Sequence, residues 1–298
     1  MAFTGLFVPL ITPFSETGEL AGDALEALAH AALDEGATGI VVLGTTGEPA
    51  TLTPQERRRV LEICSVVCTG RKAPLIVGAG SNSTAASIDE LTTRGTSIDA
   101  VSAALVVVPY YTRPSEDGVV EHFRQVSAAS PVPLVIYNIP YRTGRTLSAD
   151  TLLRLAELPN VAGFKHAVGG IDEDTVSFMA RVPDDVSVLA GDDLYAGPML
   201  ALGAAGAILA SANVTTRPYA DLVAAWRAGD AVRAREIGHR LSSLSQALFA
   251  EPNPVVIKAV LAAQRRIPTD HVRLPLLPAG PTASKAAFDA SLLLQPTT

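Results

Sequence analysis

Val161-Ala-Gly-Phe-Lys-His-Ala167 is a short, largely apolar run that predicts a buried β-strand. Seven other apolar runs occur along the chain, about 20 to 35 residues apart, with helical stretches between them. The eight runs lie at residues 7–12, 39–44, 74–80, 103–110, 133–140, 161–167, 186–192 and 206–212. Most are continuous rather than alternating, which is typical of parallel strands that are covered on both faces.

Signals for helices separate the predicted strands. Thr53-Pro-Gln-Glu56 has the pattern of a capping box with proline at the first helical position. Residues 21–35 have helical apolar spacing and stop at Gly36, and further helices are predicted to begin at Ser115 and Asp172. Eight βα units in about 220 residues predict a (β/α)8 barrel, the TIM-barrel fold. A doubly wound sheet is the alternative, but the first βα turn lacks its Gly-x-Gly-x-x-Gly fingerprint.

The chain from about residue 217 onward is predicted to be entirely helical. Helices are expected at residues 219–228, 231–250, 254–265 and 281–294. We therefore predict a barrel at residues 1–228 and a small helical extension at 229–298 that packs on the barrel, with no linker or low-complexity segment.

Composition argues against several classes of protein. The net charge is −7 and no cluster of Lys and Arg is interleaved with aromatic residues, which argues against nucleic-acid binding. The longest apolar stretch, 201–212, is too short to span a bilayer, and the N-terminus lacks the basic start of a signal peptide.

Cys64 and Cys68 share a helix face with no further Cys or His nearby, which predicts buried core residues and no metal site. We expect a soluble, cytoplasmic protein.

Lys165 is the most informative residue of the chain. The sequence has only four lysines against nineteen arginines, and this one lies within an apolar strand. Burial lowers the pKa of an amine and favours its neutral, nucleophilic form, which is the form that Schiff-base chemistry on a carbonyl requires. The alternative is a lysine at a strand edge whose amine reaches outward to solvent.

Alternation along this strand predicts which residues share a side with Lys165. Gly163 and Ala167 would lie on its side, and their small size would leave room for a substrate if that side is the barrel lumen. Phe164 and His166 would face the helical layer, although His166 as a catalytic base is an alternative.

Polar and aromatic residues follow three of the predicted strands, where the active sites of such barrels lie. Gly44-Thr-Thr-Gly-Glu48 predicts a small anion nest that would fit a carboxylate, with an ordinary capped turn as the alternative. The segments Pro109–Pro114 and Tyr137–Gly144 hold four of the six tyrosines, Tyr110, Tyr111, Tyr137 and Tyr141. A tyrosine here is a candidate proton shuttle or simply an apolar ring with a solvated hydroxyl.

Seven motifs occur in a specific order and spacing that covers nearly the whole chain. They are Gly44-Thr-Thr-Gly-Glu48, Pro109-Tyr-Tyr111 with Arg113-Pro114, Tyr137-Asn-Ile-Pro140 with Arg142-Thr-Gly144, Gly163-Phe-Lys165, Gly191-Asp-Asp193, Glu251-Pro-Asn-Pro-Val-Val-Ile-Lys258 and Arg273-Leu-Pro-Leu-Leu-Pro278. Together these motifs resemble the dihydrodipicolinate synthase (4-hydroxy-tetrahydrodipicolinate synthase) family of Schiff-base pyruvate aldolases and lyases.

The resemblance implies a role for each catalytic residue. Lys165 would form the Schiff base with pyruvate, and Tyr137 would move protons at the imine and enamine carbons. Thr45 would link Tyr137 by hydrogen bonds to Tyr111, which in the family reaches into the site of a neighbouring subunit.

The resemblance also implies the substrate-binding residues. Thr46 and the neighbouring backbone, including Gly47, would hold the pyruvate carboxylate. Arg142 would bind the carboxylate of the incoming aldehyde, and the backbone carbonyl of Ile208 would line the site. No metal and no organic cofactor would be required, and the family is usually a homotetramer built from dimers.

The implied reaction condenses pyruvate with L-aspartate 4-semialdehyde to 4-hydroxy-tetrahydrodipicolinate, in lysine and diaminopimelate biosynthesis. One alternative is another pyruvate lyase of the superfamily, such as N-acetylneuraminate lyase or a 2-keto-3-deoxy acid aldolase. Arg142 favours a short carboxylated aldehyde over a polyol. A non-catalytic paralogue that only binds ketoacids is the second alternative, against which the retention of Lys165 and Tyr137 argues.

Two regions depart from the family pattern. In His166-Ala-Val-Gly-Gly170, a hydroxyl is missing at Val168 and an acid at Gly170, which bears on the identity of the second substrate. Asn82 and Tyr110 match the family's lysine-inhibition site. Pro49, Arg57 and Ala86 depart from the residues of lysine-sensitive members, so weak or absent inhibition by L-lysine is expected.

Overall fold

A computed structural model describes residues 3–95 and 100–294 of the chain. Eight strands form a closed barrel in which the order of the strands in the sheet is their order in the sequence. Neighbouring strands are parallel, as in the pairing of β4 with β5 and of β5 with β6. The strands are β1 Gly5–Pro9, β2 Gly39–Val42, β3 Leu75–Ala79, β4 Val101–Val107, β5 Leu134–Asn138, β6 Val161–His166, β7 Ser187–Ala190 and β8 Gly206–Ile208. The predicted TIM barrel is confirmed, and the doubly wound alternative is wrong.

Helices follow the strands. They are α1 Gly22–Asp34, α2 Pro54–Arg71, α3 Thr84–Asp89, α4 Glu116–Ala129, α5 Pro140–Thr143, α6 Ala149–Ala156, α7 Glu173–Met179, α8 Ala196–Ala201, α9 Thr216–Arg227, α10 Ala231–Leu248, α11 Val255–Ala263 and α12 Pro281–Leu292. Short 3₁₀ helices occur at Thr45–Gly47, Pro49–Thr51 and Ala210–Asn213, and a π-helical segment at Glu90–Gly95 continues from α3.

The predicted helix starts are confirmed at the level of single hydrogen bonds. Thr53 and Glu56 form the reciprocal contacts of a capping box at the start of α2. The side chain of Ser115 accepts from the backbone of Gly118, and that of Asp172 accepts from the backbone of Thr175. These local contacts satisfy N–H groups that a helix start otherwise leaves without a partner.

Two compact units make up the chain by their internal contacts. One comprises Met1–Gly5 and Ile76–Ile208, and the other comprises Leu6–Leu75 and Leu209–Thr298. In the first unit, the rings of Phe164 and Phe178 pack edge to face with centroids 5.1 Å apart. In the second unit, Phe14 is fully buried. The predicted division of the sequence at residue 228 stays a prediction.

Cys64 and Cys68 lie in α2, and both are free and buried, as predicted. Burial raises the pKa of both thiols, that of Cys68 to about 12. Both therefore stay protonated, which suits core residues. Among the described residues, no helix combines the length and the apolar character that a membrane span requires.

Candidate active site

Lys165 lies near the carboxyl end of β6 and is buried, with only 7% of the residue exposed. β6 is paired with β5 on one side and with β7 on the other. The alternative of an edge residue that reaches outward is therefore wrong. Burial lowers the pKa of Lys165 to about 8, although the nearby carboxylates of Asp193 and Asp192 act in the opposite direction.

Tyr137 lies on the neighbouring strand β5, directly beside Lys165 in the strand register. The amine Nζ of Lys165 is 4.4 Å from the centroid of the Tyr137 ring. Tyr137 is almost fully buried, and burial raises the pKa of its hydroxyl above the ordinary value. The hydroxyl is thus protonated at neutral pH and is available as a proton donor next to the amine.

His166 faces away from this pair, as the alternation of the strand predicted. Its Nε2 lies 3.0 Å from the hydroxyl of Thr175 on α7, and its ring packs 5.9 Å from that of Phe178. Burial lowers the pKa of His166 to about 4, so the ring is neutral at physiological pH. These contacts place His166 against α7, and its alternative role as a catalytic base stays a prediction.

Gly163 does not serve the purpose that its small size suggested. A Cβ at this position would lie 2.4 Å from the carbonyl oxygen of Ser187 on β7. The missing side chain therefore permits β6 and β7 to approach each other, and it provides no room for a substrate.

Gly191 leaves space for the side chain of Lys165. A Cβ on Gly191 would lie 2.8 Å from Cγ of Lys165 and 2.9 Å from Cβ of Ala167. The next residue, Asp192, accepts a hydrogen bond from the backbone N–H of Gly169 at 2.7 Å, which ties the chain after β6 to the chain after β7. Burial raises the pKa of Asp192. The sequence motif Gly191-Asp-Asp193 was recognised, but its contact with Lys165 was missed.

Arg142 follows β5 on the one-turn helix α5 and is exposed. Its Nε donates a hydrogen bond to the hydroxyl of Tyr141 at 3.1 Å, and its guanidinium carbon is 5.4 Å from the Tyr141 ring centroid. The positive charge of Arg142 contributes to the lowered pKa of Lys165 and opposes the raised pKa of Tyr137. Arg142 is thus close enough to both to act on them electrostatically.

The two remaining candidates of this unit are Tyr111 and Ile208. Tyr111 follows β4 and is 86% exposed, with a left-handed φ of 72°. Ile208 is the last residue of β8 and is fully buried. The roles of both residues stay predictions.

Thr45, Thr46 and Gly47 form a single 3₁₀ turn after β2, in the second unit. The hydroxyl of Thr46 is buried and accepts a hydrogen bond from Nδ2 of Asn253 at 3.0 Å. The carbonyl of Gly47 accepts from the hydroxyl of Thr12 at 2.7 Å. The turn is therefore fixed by side chains from distant parts of the sequence.

A buried ion pair lies directly after this turn. Glu48 has a left-handed φ of 52°, and its carboxylate pairs with the amine of Lys258 on α11. The side chain of Lys258 is completely buried, and that of Glu48 is 2% exposed. Burial lowers the pKa of Lys258 to about 8, which its pairing with Glu48 opposes. The signal was present in the sequence, because Lys258 is one of few lysines and lies in an apolar helix.

The described residues contain no cluster of three or more His, Cys, Asp or Glu side chains that could hold a metal ion. The polar groups around Lys165 are instead a tyrosine, an arginine and two aspartates. Tyr137 provides a proton donor and Arg142 a cationic group beside the amine of Lys165.

A (β/α)8 barrel that buries a lysine of lowered pKa beside a tyrosine is typical of enzymes that act on carbonyl compounds through the lysine amine. Comparison with known families gives a more specific assignment. The chain belongs to the dihydrodipicolinate synthetase family, whose model matches residues 2–291.

Individual relatives agree with this assignment over nearly their full length. The 4-hydroxy-tetrahydrodipicolinate synthase of Aromatoleum aromaticum is 42% identical over 92% of each chain. That of Neisseria meningitidis serogroup B is 37% identical over 96% of this chain and 98% of the relative. The crystal structure of dihydrodipicolinate synthase from Thermotoga maritima superposes with a TM-score of 0.93 at 34% identity, over 99% of this chain and 100% of that chain.

Proposed function

We propose that the protein is a 4-hydroxy-tetrahydrodipicolinate synthase, a lyase that condenses pyruvate with L-aspartate 4-semialdehyde in lysine and diaminopimelate biosynthesis. Membership of the family and relatives of this name support the proposal. A structural neighbour from Acinetobacter baumannii is described as complexed with pyruvate. The observation that carries the proposal is the buried amine of Lys165, with its pKa near 8, beside the ring of Tyr137.

Lys165 begins the proposed reaction as a neutral amine. Its nitrogen attacks the ketone carbon of pyruvate, and loss of one water leaves an imine that becomes protonated. The protonated imine withdraws electrons, so the methyl group releases a proton and an enamine forms. The enamine carbon then attacks the aldehyde of the second substrate. The amine of that substrate finally displaces Lys165 and closes the ring.

Tyr137 is the proposed proton carrier of these steps. Its hydroxyl stays protonated because burial raises its pKa, and its ring lies 4.4 Å from the reacting amine. A group in this position can donate a proton to the departing hydroxyl and recover one from the methyl carbon. By the family resemblance, Thr45 would link Tyr137 by hydrogen bonds to the Tyr111 of a neighbouring subunit.

Two of the proposed binding groups carry the charge or the donors that carboxylates require. Arg142 is exposed and cationic, and it would take the carboxylate of the aldehyde substrate in a bidentate contact. Thr46, with the backbone around Gly47, would take the carboxylate of pyruvate. Ile208 would present its backbone carbonyl to the substrates.

The proposal includes no metal and no organic cofactor, because the lysine imine itself withdraws the electrons. We also propose a cytoplasmic homotetramer built from dimers, in which Tyr111 completes the neighbouring site. Tyr111 is 86% exposed, so its ring is accessible to a neighbouring subunit.

Turnover with two aldehydes tests the proposed substrate. We expect the enzyme to consume pyruvate with aspartate 4-semialdehyde and to show at least about 100-fold lower kcat/KM with pyruvate and N-acetylmannosamine, since a missing ionic contact costs roughly 3 kcal/mol. An Arg142→Gln variant should raise KM for aspartate semialdehyde. Higher turnover of N-acetylmannosamine would contradict the proposal and support a sugar-acid lyase.

A further inference from the structure

We infer that Asn253, Glu48 and Lys258 are positioning residues that hold the turn Thr45–Gly47 in the form that binds the ketoacid carboxylate. This inference rests on the proposed function, in which Thr46 contacts that carboxylate. All six residues belong to the same compact unit. None of the three positioning residues was given a role by the sequence.

The contact between Asn253 and Thr46 decides where the hydroxyl hydrogen of Thr46 points. Nδ2 of Asn253 donates to Oγ1 of Thr46 at 3.0 Å. A hydroxyl has a single hydrogen, so once its oxygen accepts from Asn253 that hydrogen is left for another acceptor. A carboxylate oxygen, which only accepts, is the ligand group that this arrangement suits.

The ion pair between Glu48 and Lys258 holds the other end of the turn. Glu48 has φ 52° and ψ 43°, a left-handed conformation that is unfavourable for a residue with a Cβ. Its carboxylate pairs with Lys258 and also accepts from the backbone N–H of Arg273 at 3.1 Å. These buried contacts offset the unfavourable conformation and so keep the backbone of Thr45–Gly47 in place.

Lys258 is itself held at this position from several sides. Its amine donates to the backbone carbonyl of His271 at 2.9 Å and lies 4.0 Å from the centroid of the Phe14 ring. Asn253 immediately precedes Pro254 at the start of α11, and Lys258 lies in the first turn of that helix. The short segment from Asn253 to Lys258 therefore fixes both the hydroxyl of Thr46 and Glu48, the residue that ends the turn.

The experiment compares two ketones that differ only in the carboxylate. Pyruvate and its methyl ester can both form an imine with Lys165, but only pyruvate presents an anion to the turn. Borohydride trapping at rising ketone concentration, read as label on the Lys165 peptide, gives a half-saturating concentration for each ketone.

The variants are Asn253→Asp, which turns the donor to Thr46 into an acceptor, and the double variant Glu48→Gln/Lys258→Met. Lys258→Met alone is avoided, since it would leave a buried carboxylate without its counter-ion.

We expect each variant to raise the half-saturating pyruvate concentration about tenfold or more, because a hydrogen bond to a charged group is lost or misdirected. The value for methyl pyruvate should change less than about threefold, well under the effect of a lost charged contact. Lys285→Met is the matched control, since Lys285 is an exposed lysine paired with Asp289 in α12, and it should leave both values unchanged.

Other outcomes overturn the inference. Variants that fold as judged by circular dichroism and saturate with pyruvate at the wild-type concentration would show that the three residues are structural only. An equal loss for both ketones would lead to the same conclusion. If the double variant does not fold, Asn253→Asp decides alone. Failure of the wild-type protein to label with either ketone would instead refute the proposed function, and this inference with it.

Discussion

Lys165 was predictable as a nucleophile because two features of the sequence coincide in it. It is one of very few lysines, and it lies in an apolar run that predicts a buried strand. The residues that contact Lys165 in the folded protein were harder to predict. Gly191 packs against Cγ of Lys165 from a different strand end, and such a contact between distant residues leaves no local pattern.

The buried ion pair of Glu48 and Lys258 illustrates the same limit at residue scale. Both residues lie in motifs of the sequence. They are more than 200 positions apart along the chain, however, so no local pattern predicts that they pair. For Gly163, the sequence showed that a small residue lies beside Lys165, but the predicted purpose of its small size, room for a substrate, was wrong. The carbonyl of Ser187, which a side chain there would meet, is identifiable only in the folded sheet.

The lowered pKa of Lys165 predicts how imine formation depends on pH. With a pKa of about 8, the neutral fraction of the amine rises as the pH rises through 8 and levels off above it. The initial rate of adduct formation with pyruvate should increase close to tenfold per pH unit below about 7.5 and flatten above about 8.5. Quenched time courses between pH 6 and 9.5 measure this. A rate that still rises steeply at about pH 9.5, with no plateau, would show an ordinary solvated lysine.

Tyr111 is predicted to act in turnover and not in folding. Replacing it with phenylalanine removes only a hydroxyl from a side chain that is 86% exposed, so thermal stability should shift little. Loss of a proton-transfer group should lower kcat by roughly 100-fold or more. Steady-state turnover and a thermal melt of Tyr111→Phe give both quantities. A kcat within a factor of about three of wild type would remove Tyr111 from the relay, since loss of such a group costs far more.

At the scale of elements, helix starts were predictable because their signals are local. The capping box at Thr53 and the caps at Ser115 and Asp172 each satisfy backbone donors within three residues. Strand ends were predicted less well. The eighth strand was expected at 206–212, but it stops at Ile208 and a 3₁₀ helix follows at Ala210–Asn213.

The reason for this early end is a tertiary contact. The side chain of Asn213 donates to the carbonyl of Pro9 at 2.8 Å and accepts from the N–H of Ile11 at 3.2 Å. These bonds turn the chain back before the apolar run ends. Because they join residues that are distant in the sequence, local propensity does not predict them. The second predicted strand, 39–44, is similarly cut short because Leu43 has a left-handed φ of 55°.

The capping box of α2 should contribute measurably to stability. Thr53→Ala removes the acceptor for the backbone N–H of Glu56, which lies 3.2 Å from Oγ1, and should lower the unfolding free energy by about 1 kcal/mol. Thr69→Ala, at an exposed position near the other end of the same helix, is the control and should change it by less than about 0.5 kcal/mol. Urea unfolding of both variants measures the difference. Equal effects would show that the cap is not stabilising.

At the scale of the whole molecule, the repeated apolar runs predicted eight parallel strands and hence a closed barrel. All eight strands were found at the predicted places in the sequence, although their ends moved by a few residues. The repetition made this possible, because each run alone is ambiguous while eight at similar spacing match one architecture. The close approach of neighbouring strands in the barrel is not marked by a repeated sequence pattern, so it could not be predicted.

Gly163→Ala tests how tightly the barrel strands are packed. Its Cβ would lie 2.4 Å from the carbonyl oxygen of Ser187, so either strand must move, and stability should fall by about 1–3 kcal/mol. Gly70→Ala is the matched control, because a Cβ there meets nothing within 4 Å and the residue lies in α2. It should leave stability unchanged or raise it by up to about 1 kcal/mol. Similar midpoints of chemical unfolding for both variants would contradict a tight β6–β7 contact.

The central claim is that Lys165 forms an imine with pyruvate, and borohydride trapping tests it most directly. The protein is incubated with pyruvate, reduced, digested and analysed by mass spectrometry. We predict that the peptide containing Lys165 gains the mass of pyruvate less one water plus two hydrogens, and that Lys165→Arg abolishes the label. A protein that turns over or binds pyruvate without an adduct on this peptide would contradict the account.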